Sequence, residues 1–148
     1  MVDWYEPLIG RERALHEYPM KTFFDHGVRV ASSSDFPVPP APDPLVGIQK
    51  GVLRTDHPEA EPPDVMWPLE RVTVEQMIES YTINGAYANF LEDETGSIEV
   101  GKSADMVALS HDITTCPPQE IAAAEVELTL FAGRPVHAIG PFVGLVED

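Results

Sequence analysis

The 148-residue chain contains little cysteine, few basic residues and no long apolar run. Its single cysteine, Cys116, excludes an internal disulfide and any zinc site built from paired cysteines. Nine Lys and Arg residues stand against 25 Asp and Glu, so the formal net charge is −16. Because the basic residues are scattered singly, we expect no nucleic-acid partner and no binding to an anionic membrane surface.

Membrane-spanning and secretion signals are also missing from the sequence. No stretch of about 18 apolar residues occurs, and no basic segment precedes a short apolar one at the start. A single cysteine fits a reducing compartment. We therefore expect an acidic, soluble protein of the cytoplasm, with a high-salt cytoplasm as an open alternative.

The early part of the chain has the order of an α/β unit. Residues 19–25 have a helical pattern that ends before Gly27, and residues 28–31 form a short apolar stretch typical of a strand. A polar tip with Asp35 follows directly. Functional groups of α/β proteins lie at the carboxyl ends of strands, so Asp35 is the candidate metal ligand or proton acceptor.

The prolines are concentrated in the middle of the chain. Nine of the 15 lie between Pro37 and Pro68, which predicts a connector. After it, Thr73 and Gln76 match a capping box, and apolar residues at helical spacing from Val74 to Tyr81 predict an amphipathic helix. Asn84 and Gly85 are expected to end or kink that helix.

The last third has a β-type pattern. Ile98 and Val100 alternate with Glu99, residues 106–109 read as a strand, and residues 126–138 read as a hairpin with its turn at Gly133.

Residues 96–103 match the phosphate-binding pattern GxxxxGK[ST]. A phosphate-binding loop requires an apolar strand before it and a helix after it, because this arrangement directs the backbone amides of the loop and of the helix N-terminus at the phosphates. An acidic stretch precedes Gly96 and a strand-like stretch follows Ser103. A β-turn is therefore the favoured interpretation, and nucleotide binding through this loop with Lys102 is an alternative.

The five histidines do not form a local metal motif, because none shares HxH or HxxxH spacing with another. No GxSxG frame marks a serine nucleophile. The residues alone thus leave Asp35 as one weak candidate.

Eight segments carry a family resemblance when they are taken in order. They are residues 18–21, 25–30, 34–38, 43–45, 72–76, 81–86, 96–109 and 129–136. Together they resemble the C-terminal part of metal-dependent amidohydrolases, in the amidohydrolase 3 subgroup, which includes N-substituted formamide deformylases and exoenzyme regulatory protein homologues.

This resemblance implies a (β/α)8 barrel carrying a small β-sandwich domain. Residues 1–91 would be the end of the barrel, with its last strand at residues 27–31, and residues 92–148 would be strands of the small domain. Asp35 would lie at or beside a divalent metal, with zinc expected, and would act as general base on the metal-bound water. The substrate would be a small amide-type molecule.

The family's remaining metal ligands have no counterpart in these residues. A barrel alone takes about 250 residues, and a catalytic zinc needs about three protein ligands. We therefore expect a fragment of a larger hydrolase of non-peptide carbon–nitrogen bonds, inactive by itself and binding no metal alone. A truncated reading frame and one piece of a split protein are open alternatives to the fragment. The alternative is a non-catalytic module that self-associates through exposed strand edges, and a homo-oligomer is expected in either case.

Overall fold

In the computed structural model, the chain is a mixed α/β structure with a small antiparallel sheet, described over residues 2–14, 16–38 and 42–146. Among these described residues, six α-helices precede three strands. The helices are α1 (Val2–Ile9), α2 (Arg11–Ala14), α3 (Met20–Asp25), α4 (Pro44–Leu53), α5 (Val74–Tyr81) and α6 (Ile83–Ala88). The strands are β1 (Met106–Leu109), β2 (Val126–Phe131) and β3 (Arg134–Ala138), and 3₁₀ helices occupy Pro68–Glu70, Pro118–Ala123 and Gly140–Leu145.

Helix α5 confirms the capping-box prediction. The Thr73 hydroxyl accepts a hydrogen bond from the Gln76 amide at 3.2 Å, and the Gln76 side chain accepts one from the Thr73 amide at 2.9 Å. The predicted site of the helix break was wrong. The break lies at Thr82, whose φ of −122° and ψ of −97° are not helical, whereas Asn84 and Gly85 lie inside α6.

Helix α4 lies within the segment that the prolines marked as a connector. Pro44 occupies its first turn, where a missing amide proton costs nothing, and Asp43 caps it by accepting from the Leu45 amide at 2.9 Å. The Pro39 to Ala41 part of the proline-rich segment lies outside the described residues.

The sheet has the strand order β1-β2-β3, with both pairs antiparallel. Its hairpin confirms the prediction for residues 126–138. Ala132 and Gly133 form the two-residue turn with φ of 49° and 75°, the left-handed values that a type I′ turn requires.

One strand prediction was wrong in the described structure, and another, at residues 28–31, stays a prediction. Ile98 and Val100 lie in a loop and are 83% and 108% exposed, so their alternation marks no buried face. Residues 28–31 have no strand partner among the described residues. A strand exists only through its neighbours, and the apolar stretch by itself does not supply one.

The core lies where α4 and α5 meet the 3₁₀ helix Pro118–Ala123. Its buried members are Ile48, Val72, Met77, Ile113, Ile121 and Ala124. The Gln49 side chain also accepts a hydrogen bond from the Ala122 amide at 3.0 Å, which joins α4 to this 3₁₀ helix. The core therefore draws on residues from both sides of residue 92, and the division at that point stays a prediction.

Candidate functional site

Asp35 lies at an exposed turn directly after the apolar segment 28–31. Its φ of 56° is left-handed, a conformation that aspartate adopts more readily than most residues. Two serine hydroxyls hold the backbone around Asp35. Ser33 accepts a hydrogen bond from the Asp35 amide at 3.4 Å, and Ser34 accepts one from the Phe36 amide at 3.2 Å. The Asp35 carbonyl then accepts from the Val38 amide at 2.9 Å. The backbone on both sides of the carboxylate is thus held by local hydrogen bonds.

A second set of hydrogen bonds ties this segment to α5. The Ser32 amide donates to the Ser80 carbonyl at 3.0 Å, and the Ser32 hydroxyl donates to the Ser80 hydroxyl at 2.8 Å. Ser80 is fully buried and its hydroxyl donates in turn to the Met77 carbonyl at 2.7 Å. Asp35 therefore follows, by three residues, a point fixed to the core helix.

The described residues do not assemble a metal centre around Asp35. No group of three or more His, Cys, Asp or Glu side chains among them is arranged to hold an ion. A catalytic zinc takes about three protein ligands, so the residues present do not by themselves fit such a metal. Asp35 can contribute at most one ligand to a site.

The histidines are dispersed, as their spacing predicts. His26 Nδ1 lies 2.8 Å from the Thr22 carbonyl at the end of α3, and His137 Nε2 lies 3.0 Å from the Val126 carbonyl across the hairpin. His57 and His111 lie in loops. None of these contacts includes Asp35.

The GxxxxGKS segment forms a closed turn. Lys102 Nζ donates to the Ser97 hydroxyl at 2.6 Å and lies 3.3 Å from the Glu99 carboxylate, and only 13% of its side chain is exposed. Glu99 holds a lowered pKa because the Ser97 hydroxyl and Lys102 donate to it. Strand β1, and no helix, follows the loop. The lysine charge is compensated inside the turn, an arrangement unlike that of a phosphate-binding loop.

Asp105 is a structural carboxylate that the sequence pattern did not mark as a candidate. Its oxygens accept from the Ala132 amide at 2.7 Å, the Ser103 hydroxyl at 3.0 Å and the Thr95 hydroxyl at 3.0 Å. These bonds, the Ala132 amide foremost, lower the pKa of Asp105. Asp105 thereby fixes the hairpin turn to the loop before β1.

A large open cleft of about 1040 Å³ lies between α5, α6 and the sheet. Its lining is mainly apolar and includes Ile83, Leu91, Val107, Leu130 and Phe131. Asp105, its one carboxylate, is already fully engaged. The cleft therefore offers a mainly apolar surface, and Asp35 does not line it.

Among the described helices, none is both long enough and apolar enough to cross a membrane.

The fold is similar to part of an amidohydrolase of known structure. The crystal structure of an amidohydrolase from Thermotoga maritima MSB8 superposes with a TM-score of 0.58 and 26% sequence identity, covering 81% of this chain and 26% of that one.

The chain belongs to the amidohydrolase family, whose sequence model matches residues 1–137. It is 31% identical over 134 residues to the amidohydrolase YtcJ of Bacillus subtilis, covering 90% of this chain and 25% of that protein. It is also 33% identical over 116 residues to the N-substituted formamide deformylase of Arthrobacter pascens, covering 78% and 20%. The chain thus spans about a quarter or less of the length of these relatives, and the predicted family resemblance is confirmed.

Proposed function

We propose that this chain supplies the C-terminal part of a metal-dependent hydrolase of carbon–nitrogen bonds other than peptide bonds. Membership of the amidohydrolase family supports the hydrolase, and members of this family are generally metal-dependent. One relative is named as a deformylase of N-substituted formamides, which supports a small amide-type substrate.

The position of Asp35 is the observation that carries this proposal. Its carboxylate stands exposed three residues after Ser32, which follows the apolar segment and is hydrogen-bonded to the buried Ser80. A carboxylate held in this way can accept a proton from an attacking water and return it to the leaving nitrogen. We assign Asp35 this role, and a place at or beside a divalent metal, with zinc proposed.

The remaining metal ligands would come from residues outside these 148. In this proposal, residues 27–31 form the last strand of a (β/α)8 barrel and gain their partners from neighbouring barrel strands. The sheet β1-β2-β3 would belong to a small β-sandwich domain. Because Asp35 has no companion ligands among the described residues, we derive no reaction step through a metal for this chain alone.

A hydrolysis assay of the isolated chain tests the proposal. With zinc added, N-substituted formamides should show no turnover above buffer. Turnover that disappears in Asp35→Asn would show instead that the chain is a complete enzyme.

Self-association is a second candidate function, and the sheet favours it. Among the described strands, β1 is an edge strand without charged residues, and Val107, Phe131 and Val136 are 59%, 66% and 57% exposed. Such edges invite pairing with another chain. Light scattering after size exclusion should show a dimer or larger species that Val107→Lys converts to monomer. A monomeric wild type up to high micromolar concentration would count against it.

A further inference from the structure

A second, smaller cavity lies at the end of α4, away from the residues around Asp35. Its volume is about 250 Å³, and its lining includes Lys50, Arg54, Thr55, Asp56, His57 and Asp64. We refer to it as the Arg54 cavity. Sites for drug-sized ligands take about 300–1,000 Å³, so this cavity suits a small ion with its water rather than a larger organic molecule.

Arg54 is the unusual member of this lining because it is only 9% exposed. It ends α4 with φ of 60°, and its backbone amide donates to the Lys50 carbonyl at 2.7 Å. Met66 holds it from the opposite side: Arg54 Nε donates to the Met66 carbonyl at 3.2 Å, and the Met66 amide donates to the Arg54 carbonyl at 2.8 Å. The guanidinium is therefore held through its Nε, and its Nη2 has no hydrogen-bond partner among the described residues.

Two buried donors at this place have no hydrogen-bond partner among the described residues. They are Arg54 Nη2 and Trp67 Nε1, and the guanidinium carbon lies 6.0 Å from the centre of the Trp67 ring. An unsatisfied buried donor costs about 1–3 kcal/mol, and more when it is charged. An acceptor supplied from the adjoining cavity would relieve that cost.

The charges around the guanidinium also matter for the choice of ligand. Burial lowers the pKa of Arg54, while Glu70, Tyr18 and Glu17 act in the opposite direction. The carboxylate of Glu70 already accepts from the Thr22 amide and hydroxyl at 2.9 and 2.6 Å.

On the cavity rim, Asp56 is paired with Lys50 at 2.6 Å, and His57 lies 3.4 Å from Glu59. Asp64 is exposed. The described His, Cys, Asp and Glu residues include no group of three that could hold a cation. The buried, donor-rich Arg54 therefore favours an anion at this cavity.

We propose that the Arg54 cavity binds a small oxyanion, a phosphate or a carboxylate, through the Arg54 guanidinium, with Lys50, which pairs with Asp56, as a second cation at the rim. The planar guanidinium matches two oxygens of such a group at once. This inference does not depend on the role of Asp35, since it invokes none of the residues around that turn.

Titration of the chain with inorganic phosphate, against chloride at equal ionic strength, tests the proposal. The readout is the ¹H–¹⁵N resonance of the Trp67 indole, made unambiguous by the background substitution Trp4→Phe. A saturable shift is expected. Arg54→Lys keeps the positive charge but removes the planar guanidinium, so the Kd of this variant for phosphate should rise about tenfold or more.

Acetate in a parallel titration identifies the ligand class, because a saturable shift with acetate alone assigns a carboxylate. Lys50→Gln changes a half-exposed rim residue, and it should raise Kd severalfold even if Arg54→Lys fails to fold. Arg134→Gln, in the exposed hairpin, is the matched control and should leave Kd unchanged. A shift with neither anion, a shift that never saturates, or equal binding by wild type, Arg54→Lys and Lys50→Gln would overturn the proposal.

Discussion

The hydroxyl groups of Ser32 and Ser80 lie 2.8 Å apart, and the backbone of the same two residues forms a second hydrogen bond at 3.0 Å. This double link joins the segment that ends at Asp35 to helix α5. Because Ser80 is fully buried and also bonds the Met77 carbonyl, the link connects the candidate catalytic carboxylate to the core.

Ser80→Ala should destabilise the chain by about 1–3 kcal/mol, because the Ser32 hydroxyl then loses its acceptor in a buried place. Chemical denaturation of wild type, Ser32→Ala, Ser80→Ala and the double variant measures this. The two substitutions should couple by at least about 0.5 kcal/mol. Additive effects would mean that the hydroxyls act separately.

Thr73→Ala should cost about 1 kcal/mol of unfolding free energy, because it leaves the Gln76 amide without its cap. Thr73→Ser retains the hydroxyl and should stay close to wild type. Urea denaturation followed by helical circular dichroism distinguishes the two. Equal loss in both variants would assign the effect to the Thr73 methyl group and not to the cap.

Two helix glycines should respond in opposite directions to alanine. In Gly51→Ala the new methyl would lie 2.2 Å from Met77 Sδ, and since Met77 is only 2% exposed, overpacking should cost about 1–3 kcal/mol. In Gly85→Ala the nearest atom is the Ser80 carbonyl oxygen at 3.9 Å, so stability should rise by about 0.4–1 kcal/mol. Thermal unfolding of both variants checks this pair, and a shift of the same sign in both would refute the close packing of α4 on α5.

The pH dependence of stability should reflect Asp105. Its pKa is lower in the folded chain, chiefly because the Ala132 amide donates to it. The stabilisation is therefore fully present above its ordinary pKa of about 3.9 and is lost as the pH falls through the lower folded value.

Asp105→Asn should be less stable than wild type at pH 7, and the difference should shrink below about pH 4. Denaturation curves from pH 7 to pH 2 measure the difference. Asp93→Asn, in an exposed turn, serves as the matched control. A difference between Asp105→Asn and wild type that stays constant with pH would contradict the role given to Asp105.

Local signals predicted the elements that depend on local contacts. The capping box of Thr73 and Gln76 and the two-residue turn at Gly133 are satisfied by residues close in sequence, so α5 and the hairpin follow from the pattern. Helix α4 was not predicted because Pro44 is a typical helix-breaking residue, although the first turn of a helix tolerates proline.

Elements that depend on distant partners could not be predicted. Residues 28–31 have the composition of a strand but no partner among the described residues. The burial of Arg54 arises because Met66 and Trp67 fold back upon it from 12 and 13 residues away, and no local pattern marks that contact. Asp35 stays a candidate marked by its place after an apolar stretch, and the sequence marks no other groups for a metal.

A chimera tests the role of Asp35 most directly. In it, this chain replaces the matching region of the N-substituted formamide deformylase of Arthrobacter pascens, and the deformylase reaction is measured with and without Asp35→Asn. We predict that the chimera is active and that Asp35→Asn lowers kcat by about a hundredfold or more, while Asp93→Asn leaves kcat unchanged. A folded, metal-loaded Asp35→Asn chimera with undiminished kcat would contradict the account.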